Sequence, residues 1–353
     1  MAHHHGGIDF CTLGMFIIDE IEFAPPRPPV KDIIGGAGSY SALGARIFLP
    51  SPESKRVGWI IDCGSDFPSE LRDSIAHWDT GVLFRETPHR LTTRGWNSYG
   101  ENEHRAFRYL TPKLRLDHDS LVNTPLLWSR SFHLICSPLR CIQLVENILA
   151  SRSQHANRNA EAKPLFIWEP VPDLCTTAEF SNCLQALKYV DVVSPNHGEL
   201  SGFFGTNTDG TDHVDFRAIE ELSNQWLESG IGQNGHGGIV VRCGKDGCLV
   251  VRKGLQKWLP AYHQSGESVI DPTGGGNGFL GGLAIGLVRG GTCPGIQNLE
   301  EAAVWGCVSA SFAIEQIGMP ILSVSAGGET WNGSRVEDRV FEFKQRVAEY
   351  VQP

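Results

Sequence analysis

The sequence predicts an α/β protein: a three-layer α/β/α sandwich around a parallel-rich central sheet, with a small β lid. Three observations predict it. Apolar strand-length runs alternate with helical segments along the 353 residues, and that alternation builds a mostly parallel sheet covered on both faces. Composition is 41% hydrophobic and 20% charged, ordinary globular material with enough apolar residues for a large core. One stretch breaks the alternation: RLTTRGWNSYG and ENEHRAFRYL are rich in β formers and predict a separate flap.

In chain order, residues 10–18 (FCTLGMFII) read as one buried strand ending at Asp19. The Pro-rich segment 23–29 excludes helix or central strand. Gly35, Gly36, Ala37 and Gly38 open a helix over 39–48. Strands follow at 57–62, 81–87, 131–137, 165–170, 191–196, 237–243, 248–253 and 256–262. Helices are expected at 68–78, with Asp66 or Ser65 near its cap, and at 138–150, 177–189, 216–229, 298–317 and 338–350, plus a short one from His197. Gly244-Lys245-Asp246-Gly247 predicts a hairpin turn. The whole of 8–350 reads as a single domain, with 18–34 and 88–112 as lid segments and 151–163 and 204–215 as surface insertions.

Net charge is −10, which argues against a protein built mainly to hold nucleic acid. Ten cysteines without a CxxC pair read as reduced core thiols in a cytoplasmic protein. The start MAHHHGGIDF lacks an apolar secretory core, and no run of about 18 apolar residues suggests a membrane span. His3, His4 and His5 receive no role.

IDPTGGGNGF (270–279), running into an apolar helix, reads as an anion-binding loop at a helix start, where glycine amides and the helix dipole favour phosphate. A P-loop is excluded because no GxxxxGK[ST] occurs. A dinucleotide fingerprint is excluded because 36–41 fails at its last position and follows a Pro-rich stretch.

Five segments in order then resemble the PfkB (ribokinase-like) carbohydrate kinase family, over roughly 8–320. They are Gly14–Asp19, Gly35-Gly36, Asn196-His197-Gly198-Glu199, Val240–Gly247, and Asp271–Phe279, which is similar to the family's DTxGAGDxF signature. The GGGN variant, with Gly-Ala-Gly-Ser near the start, is similar to an atypical eukaryotic branch, the maintenance-of-killer kinase-like proteins. The resemblance implies an ATP-dependent transfer of phosphate to a hydroxyl of a sugar, nucleoside or related small molecule, with Mg2+ and a K+ site near Asp271. It implies Gly274, Gly275, Gly276 and Asn277 as the catalytic loop. Asp19, Gly35, Gly36, Tyr40 and Arg94 would be substrate contacts. Asn196, Gly244, Gly247, Thr273 and Gly276 would be nucleotide contacts, with Glu199 and Asp271 toward metal. Trp96 and His104 of the flap could also touch substrate, and the lid could pair two copies into a homodimer.

Three departures stand out. Asn277 replaces the aspartate that acts as the family's base, Tyr40 replaces a substrate-holding Asn, and the middle DPN-type stretch is Glu169-Pro170-Val171-Pro172. A neutral amide orients a hydroxyl without taking its proton at pH 7, and losing a general base costs about 10²–10⁴ in rate. Asp19 and Asp271 are the first candidates to substitute. A slow or unusual kinase, a pseudokinase that binds nucleotide or metabolite without transfer, and a scaffold repurposed for other chemistry all remain open on these residues.

Overall fold

The computed structural model describes residues 7–23, 26–99, 105–155, 162–206, 214–291 and 294–352. A nine-stranded sheet crosses the molecule. Its strands are β1 (Phe10–Thr12), β4 (Val57–Gly64), β5 (Gly81–Thr87), β8 (Ser131–Cys136), β9 (Leu165–Pro170), β10 (Val192–Val193), β11 (Gly238–Arg242), β12 (Cys248–Arg252) and β13 (Leu255–Leu259). They lie in the order β13-β12-β11-β10-β9-β8-β1-β4-β5. All pairs are parallel except β11–β12 and β12–β13, which are antiparallel.

Successive strand residues point to opposite faces, so each strand feeds two cores. Val240 and Val250 enter one core with helices α1 (Ala37–Arg46), α7 (Gly275–Arg289), α8 (Leu299–Ala313) and α9 (Val336–Glu349). Ile239, Val241, Leu249 and Val251 enter the other, with α3 (Pro138–His155), α4 (Phe180–Leu187), α5 (His197–Phe204) and α6 (Phe216–Ser229). Helix α2 (Ser69–His77) adds Ile75 to the first core, and a hairpin of β14 (Leu322–Ser325) and β15 (Gly328–Trp331) adds Leu322 and Trp331. The lid is a four-stranded sheet in the order β3-β2-β6-β7, from β2 (Ile17–Phe23), β3 (Val30–Gly35), β6 (Arg94–Tyr99) and β7 (Arg105–Tyr109). No helix among the described residues is long and apolar enough to cross a membrane.

Several elements differ from the sequence expectation. The single strand 10–18 is two strands in two sheets, because the chain leaves the central sheet at Leu13 and enters the lid at Ile17. Gly14 makes that crossing possible: a Cβ there would stand 2.6 Å from Gly38 N, and Gly38 N–H donates to Met15 O at 3.0 Å. Asp66 does not cap α2, which starts after Pro68. Its carboxylate instead accepts from Thr92 N at 2.6 Å and Arg94 Nε at 2.8 Å, joining the lid to the sandwich. Residues 151–155 continue α3, where buried Arg152 donates to Leu127 O and Ser129 O. The expected strand 191–196 keeps only Val192 and Val193, and the helix 177–189 shortens to α4 behind a 3-10 turn. The nine described cysteines are free and buried; Cys293, His104 and, within the two insertions, 156–161 and 207–213 lie outside the described residues.

Candidate active site at the glycine loop

Parallel sheets place ligand contacts beyond the carboxyl ends of their strands. Here Glu169 at the end of β9 and Arg242 at the end of β11 meet the first turn of α7, and Asn196, just past β10, bridges to Arg242. Gly278 N–H donates to Gly274 O, and Gly275 N–H donates to Pro272 O. The amides of Gly276 and Asn277 belong to that first turn, where no helical carbonyl precedes them as acceptor. Gly274 is left-handed at φ 79°, and a Cβ on it would overlap the buried Tyr40 ring. Tyr40 thus packs under the loop as a floor. The predicted Thr273 amide donates to Asp271 Oδ1 at 3.0 Å, so Asp271 braces the loop from inside.

Asn277 is not an isolated amide. Its Nδ2 donates to Glu169 Oε2 at 2.7 Å. The same carboxylate meets His133 Nε2 at 3.0 Å and Arg242 Nη2 at 3.0 Å. His133 Nδ1 in turn faces Thr12 Oγ1 at 3.0 Å, and Thr12 Oγ1 accepts from Gly14 N. Burial pushes Glu169 up, yet Arg242, His133 and Asn277 outweigh it and hold the carboxyl below its ordinary value. An ionised Glu169 accepts only, which fixes the Asn277 amide with its NH2 inward and leaves Oδ1 without a partner among the described residues.

The NxxE pair forms a capping box on α5. Glu199 N donates to Asn196 Oδ1 at 2.7 Å, and Asn196 N and Nδ2 donate to Glu199 Oε2 and Oε1 at 2.7 and 2.9 Å. Arg242 Nη2 stands 3.4 Å from Glu199 Oε2. Burial lifts Glu199 to about 7, assisted by Glu169 and opposed by Arg242 and the Asn196 amide. With both oxygens engaged, Glu199 fits magnesium only through the ion's water shell, which magnesium keeps readily. Among the described residues no three His, Cys, Asp or Glu side chains gather as a ligand set.

Asp19 sits on β2 opposite Gly95 of β6, in a slot whose other wall is Gly35, where a Cβ would overlap its carboxylate. Its Oδ1 is buried without a partner among the described residues. Burial lifts the carboxyl to about 7, with Asn97 opposing and Asp271 adding to the rise. Gly36 turns the chain into α1 at φ 86°. Arg94 is committed to Asp32 within the lid and to Asp66 of the sandwich, each at 2.8 Å, and Trp96 Nε1 donates to Glu22 at 2.9 Å within the lid. Gly244 and Gly247 shape the β11–β12 turn with positive φ, and a Cβ on Gly247 would overlap Leu259 O. Gly244 faces open space.

The site therefore unites Gly274–Asn277, Tyr40, Thr273, Asp271, Asn196 and Glu199. It holds Asp19, Gly35 and Gly36 together at the lid, and it leaves Arg94 in ion pairs with Asp32 and Asp66. Sequence reading missed His133 and Arg242. His133 sits in no recognisable motif, whereas Arg242 lies inside the family-like segment Val240–Gly247, and a charged Arg ending the apolar run GIVVR was a visible signal.

Residues 93–324 match the model of the pfkB family carbohydrate kinases. An uncharacterised protein of Schizosaccharomyces pombe is 36% identical over 360 residues, covering 97% of this chain and 94% of that protein. Protein MAK32 of Saccharomyces cerevisiae is 34% identical over 356 residues, covering 96% and 93%. Among solved structures, ribokinase from Giardia lamblia superposes with a TM-score of 0.70 at 16% identity, covering 98% of this chain and 100% of that one. On the matched family model and the full-length relatives, the chain belongs to the pfkB carbohydrate kinase family.

Proposed function

We propose that the protein is an ATP-dependent phosphotransferase acting on a hydroxyl of a sugar, nucleoside or related small molecule. The observation that carries this reading is the glycine loop at the start of α7, held in shape by Tyr40, Asp271 and the left-handed Gly274. Phosphoryl transfer passes through a loose transition state, so positioning and charge stabilisation supply most of the catalysis. The loop amides would take the charge on the transferred group. Asn277 Oδ1 would orient the acceptor hydroxyl, and Asp19 would hold the substrate under the lid. Magnesium, reaching Glu199 through water, would neutralise charge on the nucleotide phosphates.

One observation favours a second reading, a nucleotide-binding pseudokinase: the amide at the base position is tied inward to Glu169. ADP release with ATP and magnesium, against a panel of sugars, nucleosides and vitamin-like alcohols, separates the two. A kinase forms ADP in step with a phosphorylated product. Nucleotide binding with no acceptor-dependent ADP across the panel would favour the pseudokinase.

A further inference from the structure

We propose that Arg242 is a second anion-gripping element of this site, acting on the phosphate oxygens beside the loop amides; the inference rests on reading 274–277 as a phosphate cradle. The guanidinium is anchored through one nitrogen. Nη2 donates to Ser194 O at 3.0 Å and meets Glu169 at 3.0 Å and Glu199 at 3.4 Å. The other two donors have no hydrogen-bond partner among the described residues: Nε is buried and orphaned, and Nη1 lies over Gly276, where a Cβ would overlap it. A buried charged donor left unpaired is costly, so native structures rarely keep one without a use. A guanidinium presents its donors in a planar fork that matches the oxygens of phosphate. The Ser194 carbonyl and Glu199 behind it keep that fork in place even where Glu169 is neutralised, and Gly276 is the residue that lets it reach the loop. Arg242 thus adds a fixed positive charge to a loop that otherwise offers only amide dipoles.

Tripolyphosphate is the probe, titrated calorimetrically into the full chain in EDTA at fixed salt, with ADP in parallel. Arg242→Gln is expected to weaken tripolyphosphate binding at least tenfold, whereas Arg242→Lys, which keeps charge and loses the fork, falls between. Glu169→Gln keeps Arg242 and removes its competitor, so it is expected to tighten binding several-fold, and it carries the test if Arg242→Gln does not fold. A folded Arg242→Gln that binds like wild type, or a Glu169→Gln that binds no tighter, overturns the proposal and leaves the glycine loop standing. Wild type that binds neither tripolyphosphate nor ADP overturns the cradle itself, and this inference with it.

Discussion

Restoring the family's aspartate by Asn277→Asp is expected to destabilise this protein and to create no efficient base by itself. The wild-type amide donates to Glu169 at 2.7 Å, and Glu169 is held ionised by Arg242, His133 and that amide. A carboxylate in its place loses a hydrogen bond and adds a like charge. At about 4 Å between charge centres and an effective dielectric near 20, the repulsion is about 4 kcal/mol. The pair escapes by keeping one proton, which costs about 4 kcal/mol at pH 7 and about 1.5 kcal/mol at pH 5 for an ordinary aspartate. The sign follows from linkage. The pair's folded pKa is raised, so the penalty is absent at low pH and grows as pH climbs from near 4 through the raised value. With an unfolding entropy typical for this chain length, each kcal/mol moves Tm by roughly 1.4 °C. Asn277→Asp should therefore melt about 5 °C below wild type at pH 7 and about 2 °C below at pH 5. Calorimetric melting from pH 5 to 8 reads this directly. The double variant Asn277→Asp with Glu169→Gln should recover most of the loss, and it is the form in which a base at 277 becomes effective at neutral pH. Melting of the single variant within about 1 °C of wild type at every pH would refute the contact and the electrostatics built on it.

Asp19 is raised to about 7 by burial, so it contributes full stability only below its unfolded value near 4, and that contribution fades toward pH 7. Asp19→Asn should flatten the wild-type stability profile in that window, read by urea denaturation across pH. Gly35→Ala drives a Cβ into the Asp19 carboxylate and should cost about 1–3 kcal/mol, measured the same way. Gly274→Ala combines a left-handed backbone with overlap on Tyr40 and should cost at least about 2 kcal/mol. Glu315 is lowered to about 2: burial opposes, while His263, Arg339 and Asn332 prevail. Its stabilisation is present above its unfolded value near 4.3 and is lost as pH falls toward 2. Glu315→Gln should therefore lower Tm at pH 7 and converge with wild type in acid.

Strand-length apolar runs separated by helical segments were enough to place the central sheet, because each run's length and neighbours constrain it locally. Strands 81–87 and 165–170 match residue for residue. Glycine spacing likewise marked the loop at 274–276, since few sequences put three glycines at the mouth of an apolar helix. The break at Gly14 was not legible. A run of nine apolar and small residues looks continuous until Gly38, 24 positions away, packs against it. The site's charge pattern was beyond local reading for the same reason. His133, Glu169, Arg242 and Asn277 come from three strands and a helix start, and only the sheet order β11-β10-β9-β8 brings them within hydrogen-bond reach. Sequence alone determined that three glycines open an apolar helix and that an amide, Asn277, follows them. Tertiary structure decided which way that amide faces, because Glu169 is ionised by neighbours far away in the chain and accepts only the NH2 side.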